Sequence, residues 1–136
     1  MKAFSFLLSV LILAVLSSTV VAQRYQGPVT SKTVHIPKGR FSTTIKGIAR
    51  TPGTYEFIVN ARAGQIMGVR VSSSNDGVEF SVETPDGNWA ENALGVKRWS
   101  GELGESGNYK VILTNNKARI RKNPTYTLSI SVRGYI

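Results

Sequence analysis

Hydrophobic and polar residues alternate along short stretches of the chain, and turn residues separate these stretches. The alternation is clearest in four sets of residues: Met67, Val69 and Val71; Val78, Phe80 and Val82; Tyr109, Val111 and Leu113; and Tyr126, Leu128, Ile130 and Val132. A period of two residues places each set on one face of a β-strand. Each set therefore predicts a strand that is buried on one face and exposed on the other.

Four further stretches have weaker strand signals, at residues 33–36, 41–48, 55–59 and 97–103. Residues 24–32 are polar and are interpreted as a loose lead-in, whereas Asp76-Gly77 is a strong signal for a hairpin turn. No window after the N-terminal segment has helical periodicity of useful length. Eight short strands at this spacing indicate a β-sandwich or a barrel. We predict an all-β fold, a single-domain antiparallel β-sandwich of about eight strands.

Residues 1–22 have the pattern of a secretory signal peptide. Lys2 supplies a positive charge, residues 4–16 are apolar, and Val20 and Ala22 suit the −3 and −1 positions of a cleavage site. The apolar run is shorter than the roughly 20 residues of a membrane-spanning helix. We therefore expect cleavage after Ala22, a mature domain of residues 23–136 in the periplasm or outside the cell, and no stable membrane insertion after cleavage.

The predicted mature chain is small, basic and free of cysteine. Removing 22 of the 136 residues leaves 114, with 16 Lys and Arg against 8 Asp and Glu, a net charge of about +8. A chain of this length fits one domain, and without disulfides it must be stabilised by its core alone. The charge favours an anionic partner: nucleic acid, a phospholipid surface, an anionic glycan or an acidic cleft on another protein.

The segment Ser106-Gly107-Asn108-Tyr109 predicts a tight turn that leads directly into a strand. Gly104 and Gly107 suggest backbone positions that need a positive φ or a close approach, which glycine allows at least cost. Ser106 would then lie at the tip of a rigid loop. Tyr109 is the first inward residue of the strand, so it is expected either to anchor the turn or to contact a partner.

Residues 115–124 form a connection that is longer than the 2–5 residues of a plain hairpin. Its cationic side chains are Lys117, Arg119, Arg121 and Lys122. Two interpretations stay open: a solvated, variable loop, or a basic binding loop beside Ser106.

The residues that carry chemistry do not form a catalytic or metal-binding pattern. His35 is the single histidine and lies in a predicted strand, which indicates a structural or surface role. Residues 104–108 resemble G-x-S-x-G but lack the final glycine and the strand–turn–helix context of a serine nucleophile. Metal sites need clustered His, Cys or carboxylates, and none occurs. We predict a binding module that is not an enzyme and that has no cofactor and no metal.

Nucleic acid is not an expected partner. Phe57, Phe80, Tyr109 and Tyr126 alternate into the predicted core, whereas nucleic-acid binding would need aromatic side chains exposed for stacking. Glu79 and Glu83 share an exposed strand face and do not form a convincing catalytic pair for glycoside chemistry.

Several segments resemble the bacterial prepeptidase C-terminal-like β-sandwich. They are residues 44–47 (TIKG), 55–57 (YEF), 63–67 (AGQIM), 69–71 (VRV), 99–103 (WSGEL) and 126–128 (YTL). Within that group, a short exported chain with SGNY at residues 106–109 followed by a long basic loop is similar to the periplasmic lysozyme inhibitors. The g-type inhibitors are the most similar and the i-type inhibitors come next. The chain departs from the g-type pattern at Ile48, where an aromatic residue tends to follow Lys-Gly.

The resemblance implies an exported proteinaceous inhibitor of lysozyme. The SGxY loop would enter the active-site cleft of a g-type or i-type lysozyme, with support from basic residues of the neighbouring loop. The lysozyme-binding residues would then be Ser106, Gly107, Asn108, Tyr109, Lys117, Arg119, Arg121 and Lys122. The alternative is a non-catalytic prepeptidase-like module that binds an anionic cell-envelope glycan or another exported protein.

Overall fold

A computed structural model describes residues 28–50, 53–116 and 123–134. Within these ranges the chain forms eight strands, as predicted. They are β1 (Val29–Thr33), β2 (Ser42–Ile48), β3 (Thr54–Ala61), β4 (Ile66–Ser73), β5 (Val78–Glu83), β6 (Arg98–Glu102), β7 (Gly107–Asn115) and β8 (Thr125–Arg133). The described residues contain no helix that is long and apolar enough to cross a membrane.

The strands form two four-stranded sheets. Sheet A has the order β1-β3-β7-β5, and sheet B has the order β2-β8-β4-β6. All pairs are antiparallel except β1 and β3, which run parallel. The predicted all-β sandwich is therefore confirmed, with one parallel pair at the edge of sheet A.

The core lies between the two sheets and is made of the alternating residues that the sequence pattern predicts. Met67, Phe80, Val111, Leu113 and Ile130 are fully buried. The described residues contain no buried polar or charged side chain. The core is therefore held by apolar packing, which stabilises by about 25 cal/mol for each Å² removed from water.

Three local predictions were wrong. The strand expected at residues 33–36 does not form there, because only Thr33 belongs to a strand, as the last residue of β1. Residues 29–33 form β1 and are not part of a loose lead-in, because their backbone pairs with β3 although every side chain is exposed. Asp76-Gly77 does form a turn, but it joins β4 of sheet B to β5 of sheet A and closes no hairpin. A turn signal identifies a change of direction, whereas the choice of partner strand depends on the packing of both sheets.

Residues 89–96 cover the outer edge of β5. Phe80 and Val96 exchange backbone hydrogen bonds at 2.9 and 2.8 Å, and the Ala90 N–H donates to the Val82 carbonyl at 2.8 Å. This edge of sheet A is therefore satisfied by the chain itself, as sheet edges usually require.

Candidate functional site

The predicted SGNY turn lies at the end of the sandwich where β6 passes into β7. Gly107 is the first residue of β7, and Ser106 is exposed immediately before it. The turn between β3 and β4, which contains Arg62 and Ala63, lies at the same end because Ala61 pairs with Gly107. Two connections that each cross from one sheet to the other therefore meet at this point.

Ser106 is fixed by a hydrogen bond from the neighbouring turn. The Ala63 backbone N–H donates to the Ser106 Oγ at 2.9 Å. A hydroxyl that accepts one hydrogen bond still has its own proton to donate. Ser106 is thus held in place while its O–H is free to donate to a partner.

Tyr109 anchors this turn from below. Its ring is 1% exposed, and its hydroxyl donates to the Glu105 carbonyl oxygen at 2.7 Å. Burial is the main cause that raises the pKa of the Tyr109 phenol above its usual value, so the hydroxyl remains a donor at neutral pH. The sequence left two roles for Tyr109, anchoring the turn or contacting a partner. The structure favours anchoring, because the ring is buried in the core and is not accessible to a partner.

Gly107 is required by the backbone, and Gly104 is not. Gly107 has a φ of +147°, and a Cβ at this position would lie 3.0 Å from the Pro85 Cβ. Gly104 has no positive φ, and a Cβ there would meet no atom within 4 Å. The expectation that both glycines are needed is therefore correct for Gly107 alone.

Asn108 lies on the outer face of sheet A beside the turn. Its Oδ1 accepts a hydrogen bond from the Asn60 Nδ2 at 3.0 Å, and both side chains are exposed. Asn60 and Ala63 were not identified from the sequence, because they lie 48 and 43 residues away from the groups they bond. Strand pairing alone brings them to the turn.

An open cleft of about 490 Å³ adjoins the turn on the side of β6. Its walls include Trp99, Leu103 and three carboxylates, Glu91, Glu102 and Glu105. The Trp99 ring is fixed because its Nε1 donates to the Glu91 carbonyl at 2.9 Å. The surroundings of Ser106 are therefore acidic on the β6 side and carry the exposed cation Arg62 on the opposite side.

The basic loop enters and leaves at the other end of the sandwich. The Asn116 backbone N–H donates to the Gly77 carbonyl, and the Ser74 N–H donates to the Thr125 carbonyl. Both ends of the connection therefore lie where β7 ends. The nine residues of β7 span about 27 Å. The expectation that this loop adjoins Ser106 is therefore wrong for its two ends. The four basic residues themselves, Lys117, Arg119, Arg121 and Lys122, lie outside the described residues, and their role stays a prediction.

The geometry of Ser106 suits binding better than nucleophilic chemistry. A serine nucleophile needs a base within hydrogen-bond distance, whereas the partner of this Oγ is a backbone N–H donor. His35 is exposed in the connection between β1 and β2. Within the described ranges no group of three or more His, Asp or Glu is placed to hold a metal ion.

The anchoring role of Tyr109 leads to a testable expectation. Tyr109→Phe removes the donor to the Glu105 carbonyl and should lower the free energy of unfolding by about 1–2 kcal/mol, measured by urea denaturation. Tyr55→Phe is the matched control, since the Tyr55 hydroxyl accepts from the exposed Arg50 N–H at the opposite end of β3. Equal losses in both variants would contradict a special role for the Tyr109 hydroxyl.

Comparison with solved structures places this site in a known fold. The periplasmic inhibitor of g-type lysozyme from Aeromonas hydrophila, PliG, is 27% identical, with a TM-score of 0.67 over 79% of this chain and 100% of the inhibitor. The chain is similar to the periplasmic lysozyme inhibitors. PliG from Salmonella Typhimurium is 24% identical, with a TM-score of 0.61 over 76% of this chain and 98% of its own.

The wider prepeptidase fold predicted from the sequence is also confirmed. The pre-peptidase C-terminal domain of a Bacillus anthracis collagenase is 16% identical, with a TM-score of 0.53 over 76% of this chain and 94% of the domain. No protein-family profile matches the chain, and no curated protein sequence matches it significantly. The similarity to PliG is therefore carried by the fold together with limited sequence identity.

Proposed function

We propose that this chain is an exported inhibitor of lysozyme, that g-type enzymes are its first target and i-type enzymes the next, and that it acts without catalysis. The similarity in fold and sequence to PliG of Aeromonas hydrophila carries this proposal. The periplasmic location of PliG agrees with the secretory signal that residues 1–22 predict.

The proposed contact is the turn of Ser106, Gly107, Asn108 and Tyr109, inserted into the active-site cleft. Lysozymes cleave glycosidic bonds with a catalytic carboxylic acid. The Ser106 Oγ accepts from the Ala63 N–H and keeps its own proton, which it can donate to such a carboxyl. A hydrogen bond to a charged group contributes about 1.5–3 kcal/mol.

Rigidity supports the same proposal. The turn is held by two hydrogen bonds, from the Ala63 N–H to the Ser106 Oγ and from the Tyr109 hydroxyl to the Glu105 carbonyl. A loop that is already ordered loses little conformational entropy when it binds, so more of the interaction energy contributes to affinity. Tyr109 then acts as a positioning residue, while Ser106 and Asn108 face the partner.

A panel of g-type, i-type and c-type lysozymes tests the proposal. The mature protein should suppress lysis of peptidoglycan at a near-stoichiometric ratio with the g-type or i-type enzyme. Absence of inhibition of every class at micromolar excess would falsify it.

The cationic contribution is tested separately. Arg62→Ala is expected to weaken inhibition by about two- to fivefold, because an exposed charge at the rim of an interface contributes up to about 1 kcal/mol. Arg121→Ala should weaken it as well, because the resemblance to the g-type inhibitors implies that the basic loop contacts the enzyme. Lys38→Ala, which removes an exposed charge from the turn before β2, is the control. If all three variants inhibit like the parent protein, surface cations do not contribute.

A module that binds envelope glycan or another exported protein is the second candidate. The collagenase domain shares this fold, and the cleft beside Trp99 combines an aromatic ring with carboxylates, as sugar-binding sites do. Retention on peptidoglycan sacculi, with no effect on any lysozyme, would support this candidate over inhibition.

A further inference from the structure

The solvent face of sheet B differs in character from the rest of the surface. Its central positions carry small hydroxyl side chains, among them Ser100, Thr127, Ser129 and Ser131, around Gly68. The large apolar side chains of this face, Ile48 and Ile66, lie at the ends of their strands, so the middle of the face is polar. Such a face suits contact with another polar surface.

Two arginines lie side by side on this face. Arg70 of β4 pairs directly with Arg98 of β6. The adjacent Val71 N–H donates to the Lys97 carbonyl, which makes the Arg70–Arg98 pair a non-hydrogen-bonded one, the type with the closer side chains. Like charges directly opposite one another destabilise a sheet. The pair is therefore unfavourable for folding by itself.

Neither guanidinium is neutralised by the described part of the chain. Among the described residues the ion pair joins Lys110 to Glu56 on the other sheet, and neither the Arg70 nor the Arg98 side chain forms a hydrogen bond or an ion pair with another described residue. The nearest carboxylate on this face, Glu102, lies opposite Ile66, four residues along each strand. Beside the arginines is a shallow depression of about 270 Å³, lined by Gly68, Ser100, Ser129 and Ser131.

The two outer faces of the sandwich have opposite charge. The face of sheet B carries Lys46, Arg70, Arg98 and Arg133 against one carboxylate, Glu102. On the solvent face of β3, β5 and β7, three carboxylates oppose one lysine: Glu56, Glu79, Glu83 and Lys110. Facing an anionic surface, the molecule would turn sheet B toward it and sheet A away.

We propose that the outer face of sheet B docks on the phosphate headgroups of an anionic lipid surface, with Arg70 and Arg98 clasping one phosphate. Paired guanidiniums and hydroxyl donors match the several oxygens and the negative charge of a phosphate. We assign this phosphate to a lipid surface. The face carries positive charge at its edges as well as its centre, and it has no central apolar side chain to insert. The exported chain passes next to such surfaces.

Binding to vesicles tests this docking. Vesicles of phosphatidylglycerol and phosphatidylcholine in equal parts should retain the mature protein in sedimentation, and phosphatidylcholine vesicles should not. Each basic residue near an anionic surface contributes about 1 kcal/mol, so Arg70→Ser with Arg98→Ser should weaken binding about 25-fold. Lys32→Ser with Lys38→Ser removes the same charge from exposed positions off this face and should retain most of the binding.

Stability and inhibition distinguish docking from a general loss of function. The arginine double variant should be at least as stable as the parent protein, because it removes a like-charge pair, and its inhibition of lysozyme in solution should be unchanged. Equal losses of vesicle binding in the two double variants, binding of inorganic phosphate without binding of vesicles, or loss of lysozyme inhibition in the arginine variant would each overturn the proposal.

Orientation provides an independent measurement. The chain has no cysteine, so a single introduced one can be labelled selectively. An environment-sensitive fluorophore on Thr44→Cys, at the solvent face of β2, should change its emission on the anionic vesicles. The same label on Thr114→Cys, at the solvent face of β7, should not. Equal changes at both positions, or a change at Thr114→Cys alone, would contradict docking through sheet B.

Discussion

Ser106→Ala should weaken lysozyme inhibition by about 10- to 100-fold. The substitution removes the O–H that is free to donate to a carboxyl of the enzyme, and a charge-assisted hydrogen bond of about 1.5–3 kcal/mol corresponds to that range. Because Ser106 is exposed, water can replace its oxygen as the acceptor of the Ala63 N–H, so the melting temperature should change little. The inhibition constant against g-type lysozyme is the measurement.

Ser42→Ala is the matched control for this variant. Ser42 is an exposed serine of β2, in the sheet that does not contain β7, and its removal should leave inhibition unaltered. If Ser106→Ala inhibits lysozyme as strongly as the parent protein, the turn is not the inserted element. The protein would then inhibit lysozyme through another surface.

Gly107→Ala should lower the free energy of unfolding by about 1–3 kcal/mol and should also weaken inhibition. The backbone at φ +147° strains any residue with a Cβ, and that Cβ would meet Pro85 at 3.0 Å. Relief requires a shift of the turn that presents Ser106, so binding and stability should fall together. Thermal and urea unfolding measure the first effect, and the inhibition constant measures the second.

Gly104→Ala, three residues earlier in the same loop, provides the comparison. Its Cβ would project into open space and its φ is not positive, so its free energy of unfolding should stay within about 0.5 kcal/mol of the parent protein. If Gly104→Ala lowers the free energy of unfolding as much as Gly107→Ala does, the loop tolerates no added atoms anywhere. The contact with Pro85 would then not explain the effect at Gly107.

Sequence patterns predicted the strands well where one face is buried. Val78, Phe80 and Val82 are buried as their alternation requires, and so are Tyr109, Val111 and Leu113. The prediction of a strand failed where no alternate burial of side chains produces a hydrophobic period in the sequence. Residues 29–33 form a strand whose side chains are all exposed, so no hydrophobic period marks it.

The candidate site was predicted in part. The turn before Tyr109 could be identified from its glycine and from the strand that follows. Its partners could not, because Asn60 and Ala63 reach it through the pairing of β3 with β7, which no local signal encodes. The two described ends of the basic loop lie away from Ser106 for the same reason, since proximity along the chain does not reveal that the length of β7 separates Asn116 from Ser106.

By itself, the sequence determined which residues lie in the core, the all-β class and the presence of a turn that presents Ser106, because burial of alternate side chains and glycine conformation are local properties. The tertiary structure alone decided what the turn rests on, which glycine is required, and that Arg70 lies opposite Arg98. These features depend on strand order and register, which are chosen by the packing of two whole sheets and not by any one segment.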